Sequence, residues 1–210
     1  IIELGAGDGS KTQYLLEQFI KSGNSIKYFP LDISPEILNF NQNKMKSRFP
    51  NLEIHALDGD YFKTLKDLPH RQTRMYLFMG SNIGSFQEKQ AIDFLKLIHS
   101  TMKKGDVLML GVDLQKNPKT ILAAYNDPDG ITRQFNLNLL RRINRELDGD
   151  FDLNNFDHYP LYNPLDGTTY SFLVSLKDQI VQVAGKSFGF KEFELLHTEI
   201  SKKFTLTELK

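Results

Sequence analysis

The sequence predicts an α/β protein built on a doubly wound parallel sheet, followed by a second, mixed α/β region. Three observations carry this expectation. Short apolar runs alternate with amphipathic runs through the first half of the chain. A glycine-rich turn, Gly5-Ala6-Gly7-Asp8-Gly9, joins the first apolar run to the first amphipathic one. After Asp113 the alternation stops and a different pattern begins.

The elements follow in order. Residues 1–5, 26–32, 52–58, 74–80 and 106–113 have the length and apolar content of strands buried on both faces. Residues 11–21 form an amphipathic helix with Tyr14, Leu15, Phe19 and Ile20 on one side. Ser34 and Pro35 open the next helix, with serine at the cap and proline in the first turn. Residues 86–103 form another. Beyond Asp113, residues 114–148 are expected to be mainly helical around a turn at 126–130. Residues 168–184 are expected to form a hairpin turning at Lys177-Asp178, which could instead complete the parallel sheet, and 192–200 one more strand.

Composition narrows the function classes. The 210 residues, 40% hydrophobic, are enough for one or two domains. Lys+Arg and Asp+Glu are both 26, so no basic excess points to nucleic acid. The absence of cysteine excludes disulfides and thiolate metal sites, and a reducing cytoplasm is the expected compartment. No apolar run approaches the ~18 residues of a membrane span. His55, His70, His99, His158 and His197 show no metal-ligand spacing, so they read as structural or exposed and no metal is expected. A chain that opens Ile-Ile inside a buried strand reads as part of a longer one.

Ligand chemistry concentrates at the strand ends. Gly5, Gly7 and Gly9 follow a strand and precede a helix, where a ligand can approach the backbone closely. Their spacing is G-x-G-x-G, not the G-x-G-x-x-G of dinucleotide enzymes, and taken alone it is also a plain tight turn. Asp32 ends the second strand and can accept both ribose hydroxyls of an adenosine. Asp58, Asp60 and Tyr61 end the third, an acid and an aromatic suited to adenine, or an ordinary acidic turn. Signals at three successive strand ends fit S-adenosylmethionine (SAM), and Glu3 is expected to orient the loop or the methionine end of the cofactor. A nicotinamide-dependent oxidoreductase and a non-catalytic SAM or amino-acid sensor are the competing classes.

Several longer segments then stand out: ELGAGDGSKT (3–12), PLDISPE (30–36), DGDYF (58–62), FMGSNIGSF (78–86), GVDLQK (111–116), the block 123–152, YN (162–163) and HTEISKKF (197–204). In order and content the chain resembles the histidine-specific SAM-dependent methyltransferase family, which includes the ergothioneine-pathway histidine Nα-methyltransferases. The resemblance implies a Rossmann-like class I methyltransferase sheet with an inserted α/β substrate-binding region. It implies cofactor contacts at Gly5, Gly7, Lys11, Asp32, Asp60 and Tyr61. It implies contacts to an amino-acid substrate at Gly80, Ser85, Tyr125, Glu199 and Ser201, with SAM as cofactor and S-adenosylhomocysteine (SAH) as product. Glu199 and Ser201, two apart on a strand, share a face and can grip an imidazole at both nitrogens.

Two departures bear on the substrate. The family carries an asparagine where this chain has Ser85, and Phe172 stands in a bulkier stretch expected to reshape the pocket. The substrate is thus expected to be histidine, or else another amino acid or small amine. The resemblance also implies truncation at both ends, with a SAM-binding domain at 1–114, a substrate-binding region at 115–205 and the start of a return to the first domain at 206–210. A monomer is expected. The implied chemistry is in-line attack of a neutral amine on a sulfonium methyl. An α-amine titrates near ~8, so no dedicated catalytic base is expected.

Overall fold

Leu4, Leu31, Leu77 and Phe78 are all buried, as strands covered on both faces require. They belong to the first of two units in the computed structural model, which describes residues 1–68 and 72–209. The units are Ile1–Val112 and Asp113–Lys210.

In the first unit the strands are β1 (Ile2–Leu4), β2 (Lys27–Asp32), β3 (Glu53–Ile54), β4 (Leu57–Asp58), β5 (Met75–Phe78) and β6 (Val107–Leu110). Their order is β3-β2-β1-β5-β6, with β4 also on β2, and every pairing is parallel. The chain therefore winds outward from β1 in both directions, and the switch point lies between β1 and β5. The helices are α1 (Thr12–Lys21), α2 (Pro35–Arg48), α3 (Tyr61–Asp67) and α4 (Glu88–Thr101). Ser34 caps α2 by accepting from Ile37 N, and Pro35 occupies its first turn.

Two expectations are corrected here. Residues 52–58 are not one strand: His55 N still donates to Tyr28 O (2.9 Å), but pairing lapses at His55-Ala56 and resumes as β4, which sets Asp58 beside Asp32. The inward face of α1 is Thr12, Gln13 and Leu16, while Tyr14 is 62% exposed. Glu3 draws Thr12 inward through a side-chain bond, and Arg48 covers the Tyr14 ring from outside.

In the second unit α5 (Pro118–Tyr125) and α6 (Ile131–Glu146) precede five strands: β7 (Phe156–Asn163), β8 (Thr168–Ser175), β9 (Gln179–Val183), β10 (Lys186–Phe190) and β11 (Leu195–Lys202). β11-β8-β7 form one antiparallel sheet, β9 and β10 another. Leu137, Leu140, Phe151, Phe156, Leu173 and Val181 make the core of this unit. The expected 168–184 hairpin does not exist, and β8 does not complete the parallel sheet. β8 pairs with β7 and β11, whereas β9 pairs with β10. The hairpin turns instead fall where the backbone reaches positive φ, at Gly167 and at Ala184-Gly185. At Lys177-Asp178 the chain leaves the sheet: Ser175 Oγ donates to Lys177 O (2.8 Å) and accepts from Gln179 (2.6 Å). β7 carried no expectation; it contains Pro160, which an edge strand tolerates. After β11 the chain turns over 206–209, where Thr205 and Glu208 exchange side-chain-to-backbone bonds.

Gly167 is required for a second reason. A Cβ there would meet Gln115 Nε2 and stand 2.8 Å from Lys203 O, at φ +71°. Gly185 has φ +74° but nothing within 4 Å of such a Cβ. Gly167→Ala is expected to lower the unfolding free energy by about 2–3 kcal/mol, and Gly185→Ala by only about 1 kcal/mol. Urea denaturation of the two variants measures the difference, and equal losses would refute the close-approach argument.

Candidate active site

In an open parallel sheet a ligand site forms beyond the carboxyl ends of the strands at the switch point. Here a cavity of about 300 Å³ lies there, lined by Gly5, Asp32, Tyr61, Phe78, Asn82, Ser85 and Phe86. A larger one, about 700 Å³, is lined among others by Ile1, Lys27, His55 and Arg74 and contains none of the expected site residues.

The glycine turn is held from below. Gly5 N and Ala6 N both donate to Leu31 O, at 2.9 and 3.0 Å. The Asp32 carboxylate accepts from Gly7 N (3.0 Å) and Ser34 N (3.1 Å), tying the turn after β1 to the turn after β2. Asp32 is only half-buried, so its remaining lone pairs face the cavity. A side chain at Gly5 would stand 3.1 Å from Tyr61 OH and 3.2 Å from Asn82 Nδ2, so only glycine leaves room for both. Tyr61 is set against Phe78 and Phe94 (ring centroids 6.1 and 5.6 Å) in an aromatic cluster that also takes in Phe62 and Phe86. Burial, with help from the Asp32 and Asp60 carboxylates, pushes the Tyr61 phenol pKa up, so the ring stays neutral. Asp60 is exposed and caps α3 by accepting from Phe62 N (2.8 Å). Lys11 is exposed just ahead of α1.

Glu3 does not line the cavity. It is 4% exposed and accepts from Thr12 Oγ1 on α1 and Tyr28 OH on β2. Asn41 on α2 continues the network, donating to Gly7 O (2.9 Å) and lying 3.4 Å from Tyr28 OH. Of the two roles expected for Glu3, the geometry supports orientation of the loop. Asn41 and Asn82 carried no expectation. Asn82 follows the β5 strand end, next to β1 at the switch point, and the Gly80-Ser81-Asn82 run after an apolar strand was the available signal. Gly80 and Ser81 both have positive φ (75° and 64°), turning the chain so that the Asn82 amide comes back toward Gly5. Ser85 is exposed at the end of that 3-10 turn.

The remaining expected substrate contacts lie in the second unit, where they gather around Lys203. Lys203 is 2% exposed. Its Nζ donates to Tyr125 OH (2.7 Å) and Ser201 Oγ (2.6 Å), and pairs with Asp113 (3.3 Å). Glu199 and Ser201 sit opposite Ser171 and Thr169 of β8, on one face of the sheet. Burial raises the Glu199 carboxyl pKa, against the pull of the Lys203 charge. Thr169 Oγ1 and Ser171 Oγ are buried without a hydrogen-bond partner among the described residues. Lys203 continues the i, i+2, i+4 alternation of Glu199 and Ser201, a signal present in the sequence and not used. Phe172 is a correction: β8 alternation puts it on the opposite face, against Tyr170 and His197, so it does not shape the Glu199–Ser201 surface. A bulge between His197 and Glu199 puts His197 on that opposite face as well. His70 lies outside the described residues.

Glu3 yields a pH test. Burial raises its folded pKa despite the two hydroxyl bonds. For an acid, that means the protonated form is favoured on folding. The stabilisation is complete below the usual carboxylate range and is lost as pH rises through the raised folded value. Glu3→Gln, which cannot ionise, is expected to be the less stable protein near about pH 4, with the gap narrowing as pH rises above the usual carboxylate range. Urea titrations across that range would show it; a constant difference would mean that Glu3 does not change its proton on folding.

Comparison with known proteins completes the picture. Residues 1–210 match the family described as histidine-specific methyltransferase, SAM-dependent. The histidine N-alpha-methyltransferase of Mycobacterium tuberculosis (strain CDC 1551 / Oshkosh) is 34% identical over 206 residues, 97% of this chain and 64% of that protein. Ergothioneine biosynthesis protein 1 of Neurospora crassa is 35% identical over 150 residues, 69% of this chain and 17% of that protein. The chain thus spans less than two thirds of the length of these relatives. The CcbJ methyltransferase from Streptomyces caelestis shares the fold at 13% identity, with a TM-score of 0.50 over 99% of this chain and 68% of that one. With the α/β sheet wound around β1, the cavity beyond its strand ends and the match along all 210 residues, the chain belongs to the histidine-specific, SAM-dependent methyltransferase family.

Proposed function

We propose that the chain carries the cofactor site and much of the amino-acid site of an N-methyltransferase that transfers methyl from SAM to the α-amine of an amino acid, L-histidine first among them. The observation that supports it most is Asp32, a half-buried carboxylate at the switch point, anchored by two backbone N–H groups and facing the cavity. That donor set suits SAM: a carboxylate for the ribose hydroxyls, a bare glycine backbone for close approach, and an aromatic wall for adenine. When bound, SAM supplies a methyl group on a sulfonium, already activated for transfer. Asp32 orients the ribose, Gly5 and Gly7 admit the cofactor to the backbone, and Tyr61 packs beside its base. Asp60 stays near the base as a helix cap that can still accept a hydrogen bond. Lys11 is a solvated charge at the cofactor side of α1.

On the substrate side, Ser85 lines the cavity of the first unit and Gly80 opens the turn that carries Asn82. In the second unit Tyr125 holds the substrate carboxylate, and Glu199 with Ser201 reads its side chain. The chain contributes position, not proton transfer. An α-amine with a pKa near ~8 is partly neutral at physiological pH, so holding nitrogen, methyl and sulfur in line and excluding water suffices. Among the described residues no cluster could hold a metal ion and no helix is long and apolar enough to cross a membrane.

Asp32→Ala removes acceptors worth about 1.5–3 kcal/mol per charged hydrogen bond, so SAH affinity is expected to fall at least ~10-fold by calorimetry. A folded variant with unchanged affinity would remove Asp32 from the cofactor site. Glu199→Ala in the full-length protein is expected to lower kcat/KM for histidine by about 1–3 kcal/mol of transition-state stabilisation while SAH binding holds. Retention of the full histidine preference would return Glu199 to the status of a surface acid.

A further inference from the structure

Lys203 stands just beyond the end of β11, and its ammonium is almost completely removed from water. A charge so buried persists only with good partners, and it has three for its three N–H bonds: Tyr125 OH (2.7 Å), Ser201 Oγ (2.6 Å) and Asp113 Oδ2 (3.3 Å). The ammonium also lies 4.9 Å from the centroid of the Tyr125 ring. Asp113 is brought within reach because Phe204 N donates to Asp113 O (2.8 Å) and Leu114 bridges Phe204. Asp113 divides its charge between Lys203 and the exposed Lys116 (2.9 Å).

An ammonium donates and cannot accept. Both hydroxyl oxygens must therefore be acceptors toward Lys203, and each hydroxyl hydrogen is turned away from it. Without Lys203, Tyr125 and Ser201 could present either a donor or an acceptor to a ligand. With it, each has one lone pair taken and its O–H turned outward, so donation is favoured over acceptance. Glu199, on the same sheet face as Ser201, presents the acceptor.

We propose that Lys203 is a positioning residue that sets the polarity of the substrate site, turning the O–H groups of Tyr125 and Ser201 outward as hydrogen-bond donors beside the acceptor Glu199. This rests on the reading of Tyr125, Glu199 and Ser201 as substrate contacts. The pattern matches an amino acid that carries a carboxylate to accept from one hydroxyl and a neutral ring with one acceptor nitrogen and one N–H. Ser201 donates to the bare nitrogen and Glu199 accepts from the N–H, so a single imidazole tautomer is selected. A protonated ring, with no lone pair for Ser201, is disfavoured.

The test uses the full-length protein with Lys203→Met, Ser201→Ala and the double variant. Lys203→Met is expected to raise KM for histidine ~10-fold or more, with kcat changed less than ~3-fold and SAH affinity less than ~2-fold, where ~10-fold corresponds to about 1.4 kcal/mol. Because part of the effect of Lys203 runs through Ser201, the loss in the double variant is expected to be smaller than the product of the two single losses. An unchanged KM, a loss shared equally by KM, kcat and SAH affinity, or fully multiplicative effects would overturn the proposal. A second readout does not depend on turnover. The side-chain ammonium of Lys203 is expected to give a protected 15N–1H signal that shifts and exchanges faster in Ser201→Ala and in Tyr125→Phe. This measurement also decides the matter if Lys203→Met does not fold: a signal absent, or unmoved by both substitutions, overturns the role. A wild-type protein that does not methylate histidine but retains this coupled signal would refute the histidine reading and leave the polarity device standing.

Discussion

The buried carboxylate of Glu3 is the interaction on which the glycine turn depends. It stands one residue before the end of β1, where an unpaired polar group would ordinarily be excluded, and it is tolerated because Thr12 and Tyr28 donate to it. Those two bonds reach α1 on one side and β2 on the other. Through Tyr28 the network continues to Asn41, which holds Gly7 O, and Asp32 holds Gly7 N from the neighbouring strand end. Both backbone groups of Gly7 are thus bound, so the turn is set in advance instead of being ordered by a ligand. That economy follows from polar satisfaction: each of these groups, left unpaired in the interior, would cost about 1–3 kcal/mol.

The second unit uses the same physics with the opposite charge. Lys203 is buried among two hydroxyls and a carboxylate, and the two hydroxyls, of Tyr125 and Ser201, are those that the family resemblance implies as substrate contacts. A buried charge is costly: replacing a whole buried ion pair by apolar groups of similar volume is often neutral for stability, whereas removing one partner leaves the other uncompensated. The ammonium at this position thus both satisfies Asp113 and fixes which way the hydroxyls of Tyr125 and Ser201 turn. The hydroxyls of Thr169 and Ser171, without a partner among the described residues, lie opposite Ser201 and Glu199, which makes this sheet face polar for a surface so deeply covered.

Asp32 and Asp60 illustrate how one residue type divides its work. Asp32 spends two acceptor sites on backbone N–H groups and keeps others toward the cavity. Asp60 caps α3 and remains exposed. Both are acids at strand ends, and in sequence they look alike. Their difference comes from which turn follows: after Asp32 the chain needs a bridge back to Gly7, and after Asp60 it needs a helix N-terminus.

The parallel sheet, its glycine turn and the Ser34-Pro35 helix start were legible in the sequence because each is a local pattern. Buried strands are short apolar runs, and capping needs particular residues at particular offsets. Positions decided by non-local pairing were not legible. Nothing in residues 168–184 alone says that β8 pairs with β7 and β11, because either partner satisfies its backbone equally well and positive-φ turns at Gly167 and Ala184-Gly185 make the choice. The face on which Phe172 and His197 lie depends on strand alternation and on one bulge, and a single extra residue reverses it. By itself, then, the sequence determined the fold class and the chemical types at the strand ends. Only the tertiary structure decided that Glu3 serves the loop and that Lys203 sits between Tyr125 and Ser201, since burial and hydrogen-bond direction exist only once residues far apart in the chain are packed together.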